Sequence, residues 1–252
     1  MATLYTQYDS NTRKTWLIFT VFLGMVIGIG WFASYYFGDS LILWFAVGIS
    51  IFSNIFVFWY SDTIALKISG ARPATREEFF DLYSVTENLA ITAGIPMPKL
   101  YVIDEAVPNA FATGRDPAHG TVAVTTGLLA IMDRAELEGV VAHELSHIAN
   151  RDTLVSTVAV ILVGFIALLS DMFLRFSFFR GGDRDNRAGG AIILIGLALM
   201  ILSPIVASMM QLAISRKREF LADASGVLLT RYPEGLARAL EKLGSHSGQL
   251  TR

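Results

Sequence analysis

"VVAHELSHIANRDTLVSTVAVILVGFIALLS", residues 140–170, sets two demands against each other. His143-Glu144-Leu145-Ser146-His147 has the form of a zinc motif, and hydrolytic metal chemistry needs water. From Thr153 to Ser170 the chain carries no charge, as a segment entering a bilayer would. The fold has to accommodate both.

On a helix, residues four apart share a face, so His143 and His147 can hold one metal ion through their imidazoles. Glu144 then projects beside the metal, where it can hydrogen-bond a water. HExxH alone is short, and a helix can carry it with two solvated histidines. A zinc site needs a third protein ligand and an open position for water. The chain has no cysteine, so any metal must use His and carboxylate, and two of the four histidines lie in this motif.

Composition supports the apolar half of the reading. The chain has 252 residues, 53% hydrophobic and 17% charged, with mean hydropathy +0.51. A soluble domain is nearer about 45–50% apolar and about 25% charged. The formal net charge of −2 gives no sign of a nucleic-acid-binding surface. Four stretches lack charge: 15–38, 40–61, 153–170 and 188–215. A spanning helix needs roughly 20 apolar residues. The first two and the fourth are long enough. The third reaches that length only by running past Asp171 to Leu174, and a buried core helix is its alternative. Asp39 and Ser40 leave room only for a tight turn, so the first pair reads as a transmembrane hairpin rather than a signal peptide.

The long polar region reads as mixed α/β. Residues 74–94 have helical periodicity, with Thr75 and Glu78 as a capping box and Gly94 as the C-cap. Residues 99–104, 109–114 and 120–126 read as short strands. Residues 133–150 are a helix opened by Asp133 and Glu136. After the fourth apolar stretch come two helices broken near Tyr232-Pro233. The chain thus divides into a cytoplasmic tail (1–14), a transmembrane hairpin (15–61), a catalytic region (62–152), a third membrane segment (153–176), a Gly/Arg-rich loop (177–187), a fourth membrane segment (188–215) and a C-terminal helical region (216–252). The expected fold is a mainly α integral membrane protein: about four transmembrane helices plus a small α+β domain with a short sheet.

Arg13-Lys14 before the first span place the N-terminus in the cytoplasm by the positive-inside rule. Residues 62–152 and 216–252 then share that side. Arg180, Arg184 and Arg187 in the third-to-fourth loop run against the rule, and a shallow hairpin would resolve this.

The shared side matters because "SRKREFLADASG" offers the missing ligand. Glu219 and Asp223 are four apart and share a helix face. Glu219 could be the third ligand, and Asp223 could accept from the free nitrogen of a ligand histidine. Taken alone, both could be surface carboxylates paired with Arg216, Lys217 or Arg218. Beside HELSH, the metal reading wins. Such a site would acidify its water toward a pKa of about 7 and polarise a carbonyl. Glu144 would take the water proton and pass it to the leaving amine. These residues do not by themselves distinguish a peptide from another acyl substrate.

HELSHIANRD, REFLAD, the upstream NAFATG and the flanking apolar hairpins together resemble the HtpX-like membrane zinc metalloproteases, gluzincins related to the CAAX prenyl proteases. The resemblance covers residues 1–243. It implies a zincin-like catalytic domain with one Zn2+ per chain on His143, His147 and Glu219. It also implies Glu144 as catalytic base, Asp223 supporting a ligand, and Asn109, Ala110, Phe111 and Ala112 along the substrate cleft. The implied function is stress-linked quality control: endoproteolysis of misfolded or damaged membrane proteins at the cytoplasmic face of the inner cell membrane, with polypeptides and the bilayer as partners. Members of the family usually carry a Thr-His-Pro-Pro element and a following Arg, which this chain lacks before Arg252. A truncated chain or a shortened member is therefore expected. The alternative is a non-catalytic metal-binding membrane scaffold or substrate-binding module.

Overall fold

The computed structural model describes residues 4–180, 208 and 216–250. Apart from residue 208, the fourth apolar segment lies outside the described residues, as does the loop beyond Arg180. Contacts divide the chain into two compact units: residues 1–12, 59–157 and 215–252 form one, and residues 13–58 and 158–214 the other.

Helices α1 (Leu4–Phe37) and α2 (Ser40–Ile68) make the apolar hairpin. Gly38, at φ 68°, provides a tight turn that an L side chain would resist. Asp39 accepts the Leu41 amide at 2.9 Å and caps α2. Among the described residues, two stretches, Ser10–Tyr35 and Ser40–Ile68, are long and apolar enough to cross a membrane. Trp16, Trp31, Trp44, Phe45 and Phe52 face outward, as suits lipid rather than water. Inside the hairpin, a Cβ on Gly30 would collide with that of Ala46, so the helices approach through small residues. Asn54 donates to the Phe19 carbonyl at 3.1 Å, satisfying an amide that lipid could not.

Residues 4–14, read from the sequence as a polar tail, are the first turns of α1. Asn11 is only 1% exposed and belongs to the first unit.

The first unit holds a four-stranded sheet in the order β1-β2-β4-β3. Its strands are β1 (Arg72–Pro73), β2 (Lys99–Ile103), β3 (Ala110–Thr113) and β4 (Thr121–Thr125). β2 and β4 pair in parallel, while β1 and β3 pair antiparallel to their neighbours. β4 is buried throughout, as a central strand must be, and β3 stands at the edge. Gly114 makes the turn after β3 possible: its φ is 133°, and a Cβ there would collide with the His119 carbonyl oxygen.

Helix α3 (Phe80–Ala93) begins later than the Thr75–Glu78 box implies. Thr75 does accept the Glu78 amide, at 3.4 Å, but within a turn preceding the helix. The Glu78 carboxylate pairs instead with Arg72 at 2.7 Å. Gly94 caps the C-terminus in the left-handed conformation, as expected. A short α4 (Thr126–Ile131) leads to α5 (Arg134–Ala149), which the reciprocal Asp133–Glu136 capping box opens. Leu137, Val141, Leu145 and Ile148 form one buried stripe of α5 in the main core, with Leu82, Val102 and Val124. Truncating such a Leu or Ile to Ala costs about 2–5 kcal/mol.

Arg151, at φ 55°, ends this run, and α6 (Asp152–Arg180) starts immediately after it. Two further helices, α7 (Arg216–Thr230) and α8 (Pro233–Leu250), pack on α5. Glycines at the crossings allow close approach. A Cβ on Gly226 would meet the His143 backbone nitrogen at 3.1 Å, and one on Gly139 would meet the Leu236 nitrogen at 2.6 Å.

Candidate active site

The helical period that sends Val141 and Leu145 into the core leaves His143, Glu144 and His147 on a partly exposed face of α5. Helix α7 crosses that face where Gly226 meets His143, and this brings Glu219 and Asp223 to the two imidazoles. The His143 and His147 Nε2 atoms are 3.1 Å apart. Glu219 Oε2 lies 3.5 Å from the first and 3.7 Å from the second. Although Glu219 is exposed, its carboxylate faces both rings.

These separations fit a metal. Zinc holds nitrogen and oxygen donors at about 2.0–2.2 Å in a tetrahedron, so neighbouring donors stand about 3.3 Å apart. The three donor atoms lie close to that spacing, and all fall within 4.8 Å of one another. The second ring nitrogens complete the fit. His143 Nδ1 meets Asp223 Oδ1 at 2.8 Å, and His147 Nδ1 meets Asp152 Oδ2 at 3.2 Å. A carboxylate beside each Nδ1 makes that nitrogen the donor and leaves each Nε2 lone pair for a cation.

Asp152 is not among the sequence candidates, because Arg151-Asp152 reads only as a connection to the third apolar segment. Its charge at a helix start is the one available signal. Its partner becomes visible only in three dimensions, where Asp152 is 2% exposed and faces His147.

The donors line a cleft of about 200 Å3 with Glu144, Asp152, Ala110, Phe111, Ala112, Thr153 and Ser156. Thr153 and Ser156, read from the sequence only as part of an apolar segment, are thus cleft residues. Asn109 is not in the lining. Its amide donates to Thr125 Oγ1 at 2.9 Å and its carbonyl accepts the Thr125 amide at 2.9 Å, so its backbone holds β3 to β4. His119 is engaged elsewhere, against Asp116 at 2.7 Å.

Burial pushes the Glu144 carboxyl above its ordinary value, against the pull of His147, His143 and the Ala112 backbone. At His147, burial opposes the charged ring. The hydrogen bond to Asp152 and the charges of Glu144 and Glu219 outweigh it and raise the pKa.

The chain has relatives in fold and in sequence. Ste24p from S. mikatae matches the fold with a TM-score of 0.54 at 22% identity, over 95% of this chain and 59% of that one. The Protease HtpX homolog of Caldanaerobacter subterraneus subsp. tengcongensis is 46% identical, over 97% of this chain and 84% of its own length. That of Pyrococcus furiosus is 46% identical over 91% of this chain and 78% of its own length. Residues 76–248 match peptidase family M48. The match runs from the approach to α3 through the HExxH helix to the helices that carry and follow Glu219, so the chain belongs to peptidase family M48, as a membrane protease of the HtpX kind.

Proposed function

We propose that the chain is a zinc endopeptidase in which His143, His147 and Glu219 hold the ion and Glu144 is the catalytic base. The observation that carries this reading is the donor triangle, whose edges of 3.1, 3.5 and 3.7 Å approach those of a zinc tetrahedron. When bound, zinc would supply Lewis acidity to a scissile carbonyl and a lowered pKa to water. Asp223 and Asp152 orient the two imidazoles through Nδ1. Glu144, its carboxyl raised by burial, takes a proton from the attacking water and returns it to the leaving amine. Ala110, Phe111 and Ala112 present the open side of edge strand β3 to an extended polypeptide, which can pair with it backbone to backbone.

The substrates are misfolded or damaged membrane proteins, met at the cytoplasmic face of the cell membrane. Arg13-Lys14 before the first span support that orientation. With segments 153–176 and 188–215, uncharged over most of their length, the chain would have about four spans.

The test is the purified full chain with zinc and an unfolded model substrate. Glu144→Gln lowers kcat by about 100-fold or more, the scale of a lost general base, while zinc content stays at one per chain. Glu219→Ala loses zinc. Cleavage that survives either chelation or Glu144→Gln would remove the proposal.

A further inference from the structure

Beyond the ligand set, the first unit contains a buried polar contact that the catalytic steps leave unused. Asn11 lies in the opening turns of α1 and is 1% exposed. Its Nδ2 donates to Asp152 Oδ1, and it also donates to the Asn150 carbonyl oxygen at 3.1 Å. The other Asp152 oxygen, Oδ2, is the one at His147 Nδ1. Asn11, Asn150, Asp152 and His147 all belong to the first unit, whereas α1 passes into the second after Thr12.

We infer that Asn11 is a positioning residue for the metal site, holding Asp152 so that Asp152 can orient His147. Asp152 is a buried carboxylate with two oxygens and rotational freedom about its side-chain bonds. One oxygen must stay in line with the imidazole for Nδ1 to keep its proton and Nε2 to keep its lone pair. The Asn11 amide pins the opposite oxygen and donates to the carbonyl at the α5 C-terminus. Both ends of the turn between α5 and α6 are thereby tied to one side chain. Charge-assisted hydrogen bonds of this kind are stronger than neutral ones, and a buried carboxylate left with fewer donors would relax toward another. A residue in the opening turns of the first apolar helix thus takes part in holding the catalytic ion.

This inference rests on the proposed metal site, and its test separates the two. The full chain is purified in the Glu144→Gln background, which removes the proposed base and leaves the three ligands in place. Zinc affinity is measured by chelator competition, the cobalt-substituted absorption spectrum is recorded, and the metal-free Tm is followed. Asn11→Leu is expected to weaken zinc binding about tenfold, the low end of the 10–100-fold effect of losing a group that supports a ligand. It is also expected to alter the cobalt spectrum. In an Asp152→Ala background, Asn11→Leu is expected to add nothing further. If the parent protein binds no zinc, the metal reading itself falls. If the parent binds and folded Asn11→Leu binds within about twofold of it with the same cobalt spectrum, Asn11 does not position the site. Should Asn11→Leu fail to fold, Asn11→Ser is measured in its place. Unchanged affinity in the serine variant, or failure of both variants to fold, overturns the inference by making Asn11 a folding residue alone.

Discussion

The two histidines of HELSH are supported alike: each presents Nε2 to the other and to Glu219, and each has a carboxylate on Nδ1. Asp223→Ala and Asp152→Ala should each weaken zinc binding by about 10–100-fold, as chelator competition would report. Of the two, only Asp223 is accessible to sequence reasoning, because it shares a helix face with Glu219 at a fixed spacing. Asp152 lies five residues beyond His147, across a helix break that no periodicity rule describes. At the other end of α5, Glu136 is 2% exposed and pairs with Lys242 at 2.6 Å. Burial works to raise its carboxyl, but Lys242 and the Asp133 backbone hold it below the ordinary 4.5. A lowered folded pKa means that this contribution is fully present above about pH 4.5 and is lost as pH falls through the lower folded value. The Tm of the first unit should therefore drop on acidification below that point. Glu136→Gln should lower the Tm at neutral pH and flatten the decline, which thermal melts across about pH 3–7 would show.

Among elements, the crossing of α5 and α7 decides whether Glu219 reaches the histidines. Gly226 sits against the backbone of Ala142 and His143, at 3.1–3.3 Å from an added Cβ. Backbone cannot yield as a flexible side chain would. Gly226→Val should destabilise by about 1–3 kcal/mol and shift α7 outward. Zinc affinity should fall with it, measurable by thermal melts and competition curves. Gly24, with open space around it, is the control: Gly24→Ala should leave both nearly unchanged. Helix α5, its capping box at Asp133 and the stretch that forms β3 are readable from period and cap chemistry. The start of α3 is not, because Glu78 is engaged by Arg72 on β1, a partner from another element that competes with the local cap.

For the whole molecule, the absence of cysteine provides a direct test of sidedness. Glu87 and Glu234 are on different helices of the first unit. Glu87→Cys and Glu234→Cys, each the sole thiol in its chain, should react with an impermeant maleimide only in inverted membrane vesicles. Labelling of either in right-side-out cells would contradict the cytoplasmic placement. The apolar spans, the HExxH register and the Glu219–Asp223 pairing follow from local spacing and composition, because a helix repeats on its own terms wherever it lies. What only the tertiary structure decided is which distant groups converge. The Gly226 crossing brings Glu219 to the histidines, and the sheet order puts β3 at the cleft edge. The burial of Asn11 against Asp152 makes an expected tail part of the catalytic unit. Such contacts depend on packing between residues far apart in the chain, 141 positions for Asn11 and Asp152, and no local period encodes them.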